Sequence, residues 1–231
     1  MRIEAIWRYP VKSMAGARLD AAELGRLGVP GDRVAYVVDE RGETVSARTR
    51  PRLLGLSGGL DDNGAPTVNG DRADAPAVAE LVQQAAGPGA RLVRARSSER
   101  FDILPLLIVT DGAVQEARLD VRRLRPNIVI AGVEGLAERE WEGRFLSAGD
   151  AVIGLATLRG RCIVTTYDPD TGEQDVDVLR DIRRRFGGSL ALNAWVARPG
   201  RVRVGDTVQL LDSFAGGHEP LLGRFVEPVR A

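Results

Sequence analysis

Cys162 is the only cysteine in a chain of 231 residues. It stands in the stretch GRCIVTTYDPDTGE, directly after Arg161 and ahead of two threonines and a turn. A lone thiol can be a nucleophile, a soft-metal ligand or simply a small buried hydrophobe. The first two uses need the thiolate, which an arginine lying near the sulfur favours. Nucleophilic hydrolysis lacks its base, because the one histidine, His218, falls in an irregular tail. Hydrolysis by paired carboxylates has no specific signal either: Asp168 and Asp170 flank a turn, and turn formation accounts for both. No GxGxxG or GxxxxGK[ST] stands between a strand and a helix, so dinucleotide and P-loop sites lack their motif. A soft metal needing one protein thiolate fits, provided a preassembled cofactor brings the remaining ligands.

An anionic cofactor needs arginine forks and hydroxyls around it, since guanidinium binds phosphate bidentately. RPN, DR and SART supply such residues, although 31 of the 32 basic residues are arginine and most serve as surface charges. Lys12 is the sole lysine. The 32 acidic residues balance the basic ones, so no global field draws the chain to nucleic acid or an anionic membrane. One cysteine excludes an intrachain disulfide framework, a cysteine-rich zinc site and a protein-bound iron–sulfur cluster. The opening MRIEAIWRYPVKS has neither a signal-peptide h-region nor the roughly 18 apolar residues of a membrane span. A cytoplasmic protein with no nucleic-acid and no membrane partner is expected.

The elements that must hold these residues are mostly short strands. IEAIWRY, AAELGRLG, VAYVVD and LLGLSGGL read as strands separated by Gly-rich turns, and DDNGAPTVNGDRADAP as loop or hairpin marking a subdomain boundary. APAVAELVQQAAGPG reads as a helix, with Pro76 in its first turn and Gly87 at its stop. ARLVRA and LPLLIVT follow as strands, and Thr110 or Asp111 caps a helix through GAVQEARLD. RPNIVIAG has the β-branched run of a buried strand, and DAVIGLATLR, CIVTTY, SLALNAWVA and DTVQLL read as further strands. CIVTTY as a strand would put Cys162, Val164 and Thr166 on one face. Val178, Leu179, Ile182 and Phe186 make the apolar stripe of a helix with an arginine-rich outer face. Many short strands with few helices predict a β-rich α+β fold built on a closed or partly closed barrel. The tail from Asp212 has no periodicity and reads as loose, or as an arm packing on a second copy.

In this order and spacing PVKS, GDR at 31–33, SARTRPRL at 46–53, LRPNIVI at 124–130, RCIVTTYDPDTGE at 161–173 and VRVGDTVQLL at 202–211 resemble the MOSC-domain proteins. The most similar branch is that of the mitochondrial amidoxime-reducing component and its bacterial relatives. The resemblance implies a MOSC-type β-barrel with an N-terminal β-barrel-like subdomain: a MOSC N-terminal region over 1–95, the MOSC domain over 96–212 and a tail over 213–231. It implies a molybdenum cofactor (molybdopterin) with Cys162 as molybdenum ligand and catalytic residue. Lys12, Ser13, Arg33, Arg48, Arg125, Asn127 and Arg161 would bind its pterin and phosphate, while Thr165 and Asp168 shape the Cys162 loop. Pyridoxal phosphate is not expected.

The implied reaction is reduction of small N-hydroxylated substrates with two electrons per turnover. Bacterial relatives with a ferredoxin domain behind the MOSC domain carry cysteines that this sequence lacks. Electrons are therefore expected from a separate ferredoxin- or haem-type protein and its reductase. Val34 replaces an aromatic residue often found after DR in the family. A second reading makes the chain a molybdenum-cofactor or sulfur carrier using a Cys162 persulfide. A third keeps the fold as an interaction module without chemistry.

Overall fold

Ile3, Ala5 and Ile6 are buried along β1 (Arg2–Arg8), and this first strand is drawn into the largest sheet of the molecule. The computed structural model describes residues 1–223. β2 (Ala17–Leu19), β3 (Ala21–Leu24), β4 (Ala35–Val38), β5 (Thr44–Val45), β6 (Gly58–Leu60), β7 (Pro66–Val68), β8 (Asp71–Arg72) and β9 (Arg91–Arg94) complete the strands of the N-terminal region. The later strands are β10 (Leu106–Thr110), β11 (Ile128–Ala131), β12 (Phe145–Ala148), β13 (Ala151–Gly160), β14 (Ser189–Arg198), β15 (Gly200–Arg203) and β16 (Val208–Leu211). Three helices accompany them: α1 (Pro76–Ala86), α2 (Asp111–Ala117) and α3 (Asp177–Phe186). The β-rich α+β class read from the sequence holds.

The main sheet has eight strands in the order β16-β12-β13-β14-β10-β11-β1-β2. Its neighbours are antiparallel except β10 and β11, which run parallel because α2 carries the chain back between them. Thr110 caps α2 as expected, its hydroxyl accepting from Ala113 N at 3.2 Å. Of the closed or partly closed barrel expected, only full closure is not found: among the described residues no sheet closes completely, and β16 and β2 end the strand order. A single bridge, Arg2 to Thr207, with Val208 N donating to Met1 O at 3.0 Å, draws the start of β16 to the start of β1 without completing a ladder. Smaller sheets join β15 to β3, β5-β4-β9 and β6-β7-β8.

One core, including Ile3, Ile6, Ile108, Ile128, Leu146, Ile153 and Leu192, fills one face of the main sheet. α2 and α3 cover the other face, where Ile182 and Phe186 meet Leu107, Val109 and Leu190. A third cluster, built on Val11, Met14, Val37, Leu53, Val78 and Val82, packs α1 against the N-terminal strands. Two strand expectations fail. The first half of LLGLSGGL belongs to a 3-10 helix over Pro51–Gly55, with Pro51 in its first turn, and only Gly58–Leu60 is strand. CIVTTY is not a strand: Ile163–Thr166 form a 3-10 turn, because the Thr165 and Thr166 hydroxyls donate back to the Cys162 and Ile163 carbonyls at 2.7 and 2.6 Å. The strand before it ends at Gly160. Up to Gly223 the tail folds back on its own chain: Trp195 Nε1 donates to His218 O at 2.9 Å and Gly223 N to Ile103 O at 2.7 Å. The rest of the tail, 224–231, lies outside the described residues.

Candidate functional site

The loop after β1, the turn before β4, β5 and the turn after it, the segment between β9 and β10, the 3-10 turn before β11 and the end of β13 converge on one cleft of about 190 Å³. All eight residues singled out in the sequence line it: Lys12, Ser13, Arg33, Arg48, Arg125, Asn127, Arg161 and Cys162. Asp102, Arg159 and Asn193 also line it and were missed, because each is a single residue outside any motif.

Local sequence explains how several of these side chains are aimed. Ser13, Arg33 and Arg125 all have positive φ, at 73°, 49° and 57°, a conformation costly for residues with a Cβ and concentrated at functional sites. Ser13 is fixed by its hydroxyl, which accepts from Ala47 N at 2.9 Å. The buried carboxylate of Asp32 accepts from Tyr9 N at 2.7 Å and pairs with Arg33. Burial works against the Arg33 charge, yet Asp32 outweighs it and its pKa is raised. Asn127 is 1% exposed, with its side-chain oxygen accepting from Leu107 N at 3.1 Å and its amide donating to Trp7 O at 3.4 Å. Its polar atoms thus tie β1 and β10 together behind the cleft.

Cys162 caps the 3-10 turn in extended conformation and is partly exposed. Thr165, fully buried, holds the Cys162 carbonyl through both its hydroxyl and its N–H. Asp168 accepts from the N–H groups of Asp170 and Thr171 and from Arg123, whose guanidinium also donates to Thr166 O at 3.0 Å. Both residues therefore shape the loop, as expected, and the strand-face argument for Cys162 is replaced by a turn that presents the thiol at its first position. Arg48 donates to Asp102 at 2.9 Å; burial works against its charge, but Asp102 first, then the nearby Cys162 side chain, outweigh it and raise its pKa.

Six cations, Lys12, Arg33, Arg48, Arg125, Arg159 and Arg161, line the cleft against one carboxylate, Asp102. Burial is the main cause that pushes Arg125 and Arg161 down to about 10, with cationic neighbours adding to it. Arg125 donates to Met14 O at 2.6 Å and lies 4.4 Å from the centre of the Tyr9 ring. Arg161 donates to Leu124 O at 2.8 Å, while its Nε is buried with no partner among the described residues. A cleft with this excess of fixed positive charge is an anion site. Among the described residues no three His, Cys, Asp or Glu side chains cluster to hold a metal, so protein ligands alone make no metal centre. One thiol, hydroxyl and guanidinium donors and an orphaned buried N–H suit a polyanionic metal cofactor that carries most of its own ligands. No helix among the described residues is long and apolar enough to cross a membrane.

Two family models match the chain: the MOSC N-terminal beta barrel domain over residues 1–96 and the MOSC domain over 105–209. Mitochondrial amidoxime-reducing component 1 of Mus musculus is 28% identical, the match covering 90% of this chain and 82% of that protein. Mitochondrial amidoxime reducing component 2 of Homo sapiens is 25% identical over 89% and 82% respectively. A molybdenum cofactor sulfurase of Bombyx mori is 32% identical over 84 residues, 36% of this chain and 10% of that protein.

Proposed function

Because this chain belongs to the MOSC-domain family, with the MOSC N-terminal region ahead of the MOSC domain, we propose that it is a molybdenum-cofactor-dependent reductase of small N-hydroxylated compounds. A molybdenum-cofactor-associated function is supported by the family and by its relatives. The observation that carries the finer reading is the convergence of the single thiol with six cations in one cleft. Similarity to the amidoxime-reducing components supports the reaction class.

The cofactor, when bound, supplies two-electron redox chemistry at a metal that takes one ligand from the protein. Cys162 provides that ligand, and the Thr165 and Asp168 contacts keep its loop in one conformation. Lys12, Ser13, Arg33, Arg48, Arg125 and Arg161 hold the pterin and phosphate, and Asn127 fixes the strands behind them. Arg48, paired with Asp102 and close to Cys162, sets a positive charge beside the thiol. The domain division at 95/96, a cytoplasmic setting and a separate ferredoxin- or haem-type donor belong to the same proposal.

The sulfurase similarity favours a second reading, a carrier of the cofactor or of sulfur as a Cys162 persulfide. Molybdenum and pterin content after expression in a cofactor-producing host separates the two when combined with turnover. About one molybdenum per wild-type chain, lost in Cys162→Ala, with reduced-dye-dependent reduction of an N-hydroxylated compound, is expected. Metal without turnover leaves the cofactor carrier, and no metal in either protein moves the sulfur carrier and the module without chemistry ahead.

A further inference from the structure

The match to the MOSC domain ends at residue 209, and the chain continues past β16 as a tail whose described part reaches Gly223. Leu192, Ala194 and Val196 of β14 face the main core, so alternation turns Asn193, Trp195 and Ala197 to the opposite face. Asn193 lines the cleft. Two residues further on, Trp195 ends a row with Phe145 and Gly154 across β12, β13 and β14. Gly154 leaves the middle of that row open: a Cβ there would stand 2.3 Å from the Trp195 ring, which instead reaches across β13 to meet Phe145 edge-on, with ring centres 5.9 Å apart. The tail crosses this aromatic shelf. Asp212 pairs with Arg144 at 2.7 Å, the Phe214 ring centre lies 6.0 Å from that of Phe145, and the Arg198 guanidinium lies 5.5 Å from the Phe214 ring centre. His218 N donates to Ala197 O at 2.7 Å, and Trp195 Nε1 donates to His218 O at 2.9 Å.

Beyond the shelf the tail reaches the segment between β9 and β10. Gly223 N donates to Ile103 O at 2.7 Å, and the approach is so close that a Cβ on Gly223 would stand 2.6 Å from Phe101 O. Phe101, Asp102, Ile103 and Leu104 all line the cleft and belong to no regular element. Among the described residues, the Gly223 bond is the one backbone–backbone hydrogen bond that ties these four to a distant part of the chain. Ion pairs hold the Asp102 side chain from inside the cleft, and the tail holds the backbone from outside. We infer that residues 212–223 are a strap that clamps the 101–104 wall of the cleft, and that release of its Gly223 end widens the cleft for an entering ligand. The strap is anchored on the shelf by an ion pair, two hydrogen bonds and a buttressed aromatic ring, whereas its far end hangs on one hydrogen bond. That end therefore opens before the anchor does. A wall that swings on such a tether admits the ligand and then closes over it. The inference concerns access to the cleft whatever the cleft binds, and it does not rest on the function proposed above.

The single thiol reports that access cleanly. In the full cofactor-free chain, the rate of Cys162 modification by fluorescein maleimide, a bulky reagent, is divided by the rate with iodoacetamide, a small one, so that changes in thiol reactivity cancel. The ratio is expected to rise about threefold or more in Gly223→Ala, whose Cβ drives the strap end off Phe101 O, and in Phe214→Ala, which loosens the anchor; amide exchange should quicken over 101–104 and stay unchanged over β11. A ratio unchanged or lowered in both variants overturns the inference. Faster exchange over 101–104 with an unchanged ratio overturns it equally, because the strap is then a brace that controls no access. Should Phe214→Ala fail to fold, Gly223→Ala decides alone.

Discussion

Replacing Arg161 by Met should make the cofactor-free chain more stable while impairing anion binding. The side chain is partly buried, pairs with no carboxylate among the described residues and leaves Nε unpartnered. Burial first, then Arg159 and Arg125, push its pKa from 12.5 down to about 10, with Cys162 opposing. At about 1.4 kcal/mol per tenfold change in proton binding, that fall sets about 3 kcal/mol against the charged side chain. Solvent screening of a partly exposed group reduces this to about 2 kcal/mol. Met keeps the aliphatic contacts and removes the charge, but forfeits the bond to Leu124 O at 2.8 Å, worth about 1 kcal/mol. A net gain of about 1 kcal/mol remains, or about 2–4 °C in Tm for a chain of this length. Thermal denaturation at low ionic strength reads it directly, and the gain should shrink as salt is added. Phosphate affinity should fall in the same variant. A Tm below wild type would mean that Arg161 is a net stabiliser and that the cleft's positive charge is not held at the expense of folding.

Thr165→Val removes the hydroxyl bond to Cys162 O but leaves Thr165 N bonded to that carbonyl at 3.0 Å. Stability should fall by about 1 kcal/mol in chemical denaturation, with reduced molybdenum retention, whereas Thr165→Ser keeps both properties near wild type. Burial raises the Asp102 carboxyl, but Lys12, Arg48 and Arg159 outweigh it and hold it well below the usual carboxylate range. Its contribution is therefore complete above the unfolded value near about 3.9 and is lost as pH falls from there toward the folded value. Any Tm gap between wild type and Asp102→Asn at pH 6 should accordingly change below about pH 4 in the sense of lost wild-type stabilisation; a gap constant to pH 2 contradicts this. Burial raises the pKa of Glu138, which is fully buried and has one carboxylate oxygen unpartnered among the described residues. A raised folded value disfavours the fold once pH exceeds the unfolded value near about 4.3, so Glu138→Gln should gain stability relative to wild type as pH rises from about 4 to 7, read by thermal denaturation, and a difference independent of pH contradicts this.

The helices were legible because their signals are local. Pro76 and Gly87 bracket α1, Thr110 caps α2, and Val178, Ile182 and Phe186 give α3 its buried stripe. The apolar runs of β10 and β11 are buried throughout, as their β-branched composition suggested. Misreading CIVTTY has an equally local cause, since Ile, Val and Thr have the same β propensity whether or not threonine hydroxyls bend the backbone into a turn. Site residues carried by short motifs could be placed together once a family resemblance connected them. Asp102 and Arg159 could not, because a salt bridge spanning 57 positions leaves no periodicity to detect. An open sheet edge was equally invisible, being set by which strands stop short of pairing rather than by the strands themselves.

The place of β1 in the sheet also constrains the order of folding. Its ladder partner β11 pairs Arg2 with Ala131 and Ile6 with Ile128, so during synthesis the first strand waits for more than half the chain. β10, beside β11, waits further for Leu192 and Ala194 on β14. Loops of this length close slowly, and contacts so distant in sequence form late. Until then β1 has only the short β2 beside it, and its apolar residues lack the rest of the sheet, which exposes the nascent chain to aggregation. Because Arg125, Arg159, Cys162 and Asn193 are translated long after Lys12 and Arg48, the cleft cannot be complete before Asn193 has been made. Any machinery that loads it must act after that point.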